Sequence, residues 1–172
     1  MRLVRAISAG NNFDEYTNIF EIATADKVSV SPRLVHIAST QVTQASKENP
    51  SAWPAFNALL SYNSFLKAKK DKTYSQYQTS TANPPDLKGP VPNIMYQSAQ
   101  NLYVGYTLRL DGVSWDRDVF KDATIVYDGG PVALKNVKFL NCRFVMGTSQ
   151  ASQDLAKRIL SSDTVSFEHL TY

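Results

Sequence analysis

The sequence predicts an α+β fold: an N-terminal helical hairpin, then a short C-terminal parallel β-helix of about two coils with a capping helix. Three observations carry this. Large apolar residues recur at every fifth position in two runs, Leu110, Trp115, Phe120 and Ile125, then Leu134, Phe139 and Phe144. That period belongs to neither a helix nor a flat strand; it suits a chain that turns a corner about every five residues. Shifting residues 113–126 by nineteen positions lays Phe120 on Phe139, Asp122 on Asn141, Ala123 on Cys142 and Ile125 on Phe144, an internal repetition in which each repeat is one coil. Finally, Ser31-Pro32 and Asn49-Pro50 bracket a run with helical spacing.

The N-terminal region, 1–70, reads as mainly helical after a short extended lead. Ile19–Ile22 and Val28–Val30 flank the polar turn Thr24-Ala25-Asp26-Lys27; a hairpin and a helix starting near Phe13 both fit this pattern. Ser31-Pro32 offers a hydroxyl N-cap and a proline at the first helical position. Leu34, Ile37, Ala38, Val42 and Ala45 then share one helical face, and Asn49-Pro50 stops the run near Glu48. A second helix begins near Ser51, tolerates Pro54 in its first turn, carries Trp53, Phe56, Leu59, Leu60, Phe65 and Leu66, and ends near Lys70. Such a hairpin must dock on the β-region or on another chain to bury both faces.

Residues 71–93 change to Ser, Thr, Gln, Tyr, Pro and Gly, with breakers at Asn83-Pro84-Pro85 and Gly89-Pro90-Val91-Pro92. This is a linker of more than twenty residues, a length usually associated with function or disorder. Tyr74, Tyr77 and Tyr96 supply either a binding surface or a cover over the core. The region 94–172 holds the β-helix. Strand-like residues 94–106 lead into the five-residue pattern, where a smaller residue stands two places before most anchors: Val113, Ala123, Val132, Val137 and Cys142. Asp118 and Leu108 are the exceptions. Asp128-Gly129-Gly130-Pro131 reads as a corner needing positive φ. Ser152–Leu160 reads as an amphipathic cap and Thr164–Leu170 as a last strand.

The stretch Val137-Lys138-Phe139-Leu140-Asn141-Cys142-Arg143-Phe144 resembles pentapeptide-repeat proteins, whose square coils use four such units. It equally resembles single coils of the right-handed parallel β-helix of pectate-lyase-like and uncharacterised bacterial proteins. The resemblance spans Leu110–Met146, about a fifth of the chain. It implies a solenoid as in bacterial proteins; the compartment stays open, with the bacterial cytoplasm slightly favoured for a chain that reads as soluble. Lys138 and Arg143 stand where pentapeptide families prefer Asp or Asn, which speaks against the acidic, duplex-mimicking surface of some members.

Composition narrows the function. Hydrophobic residues at 43% and charged residues at 19% are values of a globular chain. The net charge of +3 is spread along the sequence, so nucleic acid is not an expected partner. Lys67, Lys69, Lys70 and Lys72 suit the carbonyl-rich end of a helix. No run approaches the roughly 18 apolar residues of a membrane span, and Met1–Ile7 is too short in apolar residues to read as a secretory leader. The single Cys142 occupies an inward position and excludes an internal disulfide. His36 and His169 show no metal-ligand spacing, and no nucleotide-binding glycine motif occurs; neither cofactor nor metal is expected.

Two function classes follow. The first is a non-catalytic protein that self-associates through its β-helix as a homo-oligomer, because two coils leave unpaired edges, and presents a surface to a protein partner. The second is a carbohydrate-binding or carbohydrate-active protein with an aspartate-bearing face. The candidate binding surface comprises Asp116, Arg117 and Asp118 with Tyr74 and Tyr77.

Overall fold

The computed structural model describes residues 13–81, 84 and 90–170. The extended lead before Phe13 and the breakers Asn83, Pro85 and Gly89 lie outside the described residues. Of the two readings open for the N-terminus, the helix is the one found: α1 spans Phe13–Ala25 and buries Tyr16, Phe20 and Ala23 at three- and four-residue spacing. α2 follows at Pro32–Ala45. Its proline supplies the start, while the Ser31 side chain makes no cap bond. Asn49 instead caps a short 3-10 turn, Pro50–Ala52, by accepting the Ser51 N–H at 3.0 Å. That turn runs directly into α3, Trp53–Lys70.

The main neighbour of α3 is α1 rather than α2. Phe20 and Tyr62 bring their rings to 5.5 Å, and the Val30 N–H donates to the Tyr62 hydroxyl at 2.6 Å. α3 is buried on several faces at once, with Trp53, Phe56, Leu59, Leu60, Tyr62 and Phe65 all in the core. It therefore sits between the other helices and the β-region, and a single continuous core runs from Tyr16 to Val165.

The β-region is a parallel β-solenoid of about three turns, one more than the nineteen-residue repeat marks. The first turn holds β2 (Tyr96–Ala99), β3 (Asn101–Val104) and β4 (Thr107–Arg109). The second holds β5 (Val113–Asp116), β6 (Val119–Lys121) and β7 (Thr124–Tyr127), and the last β8 (Val132–Leu140) and β9 (Arg143–Met146). Each coil thus has three sides, where the square pentapeptide coil has four. Register explains why the first turn is hard to read. Tyr96 pairs with Val113 and Val113 with Val132, so the first step is seventeen residues and only the second is nineteen. The two extra residues fall at the Asp128–Pro131 corner, where Gly129 takes φ +96°. Asp111 closes that corner by accepting the N–H groups of Gly130 at 2.6 Å and Asp128 at 3.1 Å.

The five-residue spacing has a backbone origin. Two corners of every coil are made by a residue at positive φ, Gln100, Arg117 and Asn136 in one column and Gly105, Asp122 and Asn141 in the other. The members of each coil's pair lie five residues apart. Between them the side chains alternate, and the inward ones stack on their counterparts in neighbouring coils. Tyr103, Phe120 and Phe139 form one column, with ring centroids 5.8 and 5.4 Å apart. Trp115, Phe139 and Phe144 are all essentially buried.

The two ends of the solenoid differ. At the C-terminal end β10 (Val165–His169) pairs antiparallel with β8. α4, Gln150–Ser161, buries Leu155, Ala156 and Ile159; its N-cap Ser149 accepts the Ser152 N–H at 3.1 Å. α3 covers the edge of β9, presenting Asn57, Ser61 and Ser64 to the N–H groups of Met146, Phe144 and Cys142 at 3.3, 3.0 and 2.9 Å. The hairpin helix and the capping helix therefore close the same end.

Candidate functional site

The linker lies along the outer face of the β3–β6–β8 sheet. A 3-10 turn at Thr73–Gln76 leads into β1, Gln78–Thr79, which pairs parallel with β3. Tyr74 and Tyr77 pack with Ala68 against Leu102, Val119 and Leu140. Lys121 sits 5.2 Å over the Tyr74 ring. Lys138 anchors the start of the segment, donating to Asp71 at 2.7 Å and to the Thr73 hydroxyl at 2.8 Å. Burial alone would raise the Asp71 pKa, but the bonds from Lys138 and Thr73 outweigh it and hold the carboxyl at about 2.

This packing joins two of the five expected site residues. Tyr77 and Arg117 line one polar notch of about 550 Å³ together with Gln76, Gln78, Gln100 and Asn101. The Arg117 guanidinium donates to Asp116 at 3.0 Å. With the Gln100 amide turned so that its oxygen faces the guanidinium, the orientation that satisfies both groups, the two terminal nitrogens of Arg117 lie 2.7 and 2.8 Å from that oxygen. Tyr74 lies on the neighbouring sheet face, outside the residues that line the notch. Asp116 stands at the rim of a different groove, lined by Lys135, Lys157, Arg158 and Glu168.

Asp118 does not reach the expected surface: it is fully buried. It stands two places before Phe120, an inward position of the coil. Its Oδ1 accepts the Ser98 hydroxyl at 3.0 Å and the Asn101 N–H at 2.9 Å; its Oδ2 has no partner among the described residues. Burial raises its pKa above the usual carboxylate value, against the pull of those bonds. This carboxyl locks the second coil to the first.

The corner column through Arg117 contains an anomaly. Asn, Asp and Gly adopt the left-handed region readily, whereas other L-residues lose about 1–2 kcal/mol there. Four of the six stacked corners carry these favoured residues, and Gln100 and Arg117 do not.

The N-terminal end of the solenoid carries a second candidate surface. Tyr96 and Gln100 donate their N–H groups to Gly112 and Asp116 of the next coil, so by strand alternation Gln97 and Ala99 turn theirs outward. Among the described residues, no strand pairs with the outer edge of β2 or of β4. Met95 is 61% exposed and Tyr96 47%.

Among the described residues, no three His, Cys, Asp or Glu side chains are grouped to hold a metal ion, and no helix is long and apolar enough to cross a membrane. Cys142 is buried, and burial pushes its thiol up to about 12. Comparison with protein-family models, curated proteins and solved structures returns no match, so the β-solenoid rests on its geometry.

Proposed function

We propose that this is a non-catalytic assembly protein that pairs with a second copy of itself through the outer edge of β2 and offers its remaining surface to a protein partner. The observation that carries the reading is the character of that edge. Natural sheets protect a free edge with charge, proline or a bulge. β2 is Tyr96-Gln97-Ser98-Ala99, without charge or proline, and the exposed Met95 adjoins it.

Two β2 edges meeting about a two-fold axis run antiparallel and exchange the outward N–H and C=O groups of Gln97 and Ala99. The opposite end of the solenoid is closed by α3, α4 and β10, so stacking stops at two copies rather than growing into a filament. Light scattering across a range of concentrations tests the reading with Gln97→Pro. Proline at this position removes an outward N–H that the fold does not use. The wild type should be a dimer and the variant a monomer with an unchanged circular dichroism spectrum. A wild type that stays monomeric at every concentration would refute the proposal.

A further inference from the structure

The notch at the first corner column, whose lining includes Ala99 at the end of β2, has a chemistry of its own. Its six polar lining residues provide side-chain amides from Gln76, Gln78, Gln100 and Asn101, one phenol ring from Tyr77 and one guanidinium from Arg117. The amides both donate and accept, and the guanidinium donates along a planar fork. The charge of Arg117 is offset by Asp116 at 3.0 Å, so the notch is close to neutral. Its volume of about 550 Å³ falls in the range of small-ligand sites.

Backbone preference does not explain why these residues are there. At the same structural position the third coil uses Asn136, and the second corner column uses Gly105, Asp122 and Asn141. Gln100 and Arg117 take the left-handed conformation without that aptitude, and both line the notch, within bonding distance of one another once the Gln100 amide oxygen faces the guanidinium. Strain of this kind is characteristic of sites whose side chains are held for a ligand.

We infer that the notch binds a neutral sugar ring, with Arg117 and the Gln amides bonding its hydroxyl groups and Tyr77 covering one face, while the Asn101 amide nitrogen stays bonded to Ser98 and Ala99. A hydroxyl-rich, uncharged ligand is the class that uses mixed donors and acceptors without a charge partner, and an aromatic ring accepts the apolar face of a pyranose.

The test titrates the full chain with glucose, N-acetylglucosamine, cellobiose and glucuronate, following backbone amides by heteronuclear NMR. At least one of the three neutral sugars should shift the amides of Gln76, Tyr77, Gln78, Gln100 and Asn101 saturably. Arg117→Asn should weaken that binding by roughly tenfold or more, as expected for loss of a charge-assisted bond, while raising the melting temperature. Gln100→Gly serves as a second variant with the same two expected effects.

Three results would overturn the inference: no shift with any neutral sugar, tighter binding of glucuronate than of glucose, or an Arg117→Asn protein that melts lower than the wild type. The last would make Arg117 a structural residue.

Discussion

The Ser64 hydroxyl accepts the Cys142 N–H at 2.9 Å and donates to the Phe139 carbonyl at 2.9 Å, so one helical side chain closes the corner of the last coil. With Ser61 and Asn57 it forms a polar stripe at three- and four-residue spacing on α3, matched to the alternate N–H groups of Cys142, Phe144 and Met146. Helix period meets strand period here.

Ser64→Ala leaves both backbone groups buried without a partner. The expected loss is about 1–3 kcal/mol, read as a lower urea midpoint with an unchanged slope. Asn57→Ala, at the longer 3.3 Å bond, should lose less. A midpoint that does not move in Ser64→Ala would contradict the role given to this stripe.

Asp118 tests the interior. Because burial raises its pKa, the folded state holds the proton more tightly than the unfolded chain does. Its contribution therefore favours folding at low pH and becomes unfavourable as pH climbs from about 4, the unfolded value, through the folded one. Asp118→Asn keeps an acceptor for Ser98 and Asn101 and removes the charge. The variant should be more stable than the wild type at neutral pH, and urea midpoints should show that gain shrinking as pH falls toward 4.

Asp71 behaves in the opposite sense. Its folded pKa of about 2 lies below the unfolded value, so its stabilising effect is complete above about pH 4 and fades as pH falls through 2. Asp71→Asn should cost about 1 kcal/mol near neutrality, allowing for solvent screening at this partly open site. It should also make the Tyr74 and Tyr77 segment more accessible to limited proteolysis. The wild type should gain the same accessibility on acidification.

Cys142 reports on closure of the solenoid. A buried thiol with its pKa pushed up to about 12 should react with a maleimide only as fast as the protein unfolds. Labelling that follows reagent concentration under native conditions would mean that the last coil opens locally.

The solenoid was legible in the sequence because five-residue spacing survives in the second and third coils, where Trp115, Phe120, Phe139 and Phe144 fill the interior. The first coil was not, since its step is seventeen residues and its inward side chains include Ser98 and Tyr106. Asp118 was legible in principle. It occupies the small inward position before Phe120, and the same pattern that located the core also placed this carboxyl inside. The capping helix was legible, whereas the polar contacts of α3 with the last coil were hidden for another reason: an apolar helical face does not include Asn57, Ser61 and Ser64. Small polar residues recurring on one stripe of a helix otherwise rich in large apolar residues were the available signal. Arg117 and Tyr77 stood in one candidate set, but the reason for their proximity was not legible, because the parallel pairing of β1 with β3 is what brings the linker to that corner.

Residue-resolved amide hydrogen exchange as a function of protein concentration tests most directly a solenoid sealed at one end and self-pairing at the other. The N–H groups of Cys142, Phe144 and Met146 should be protected at all concentrations, and those of Gln97 and Ala99 should gain protection as concentration rises. Gln97 and Ala99 exchanging equally fast throughout, or Cys142 and Phe144 exchanging as fast as they do, would contradict the account.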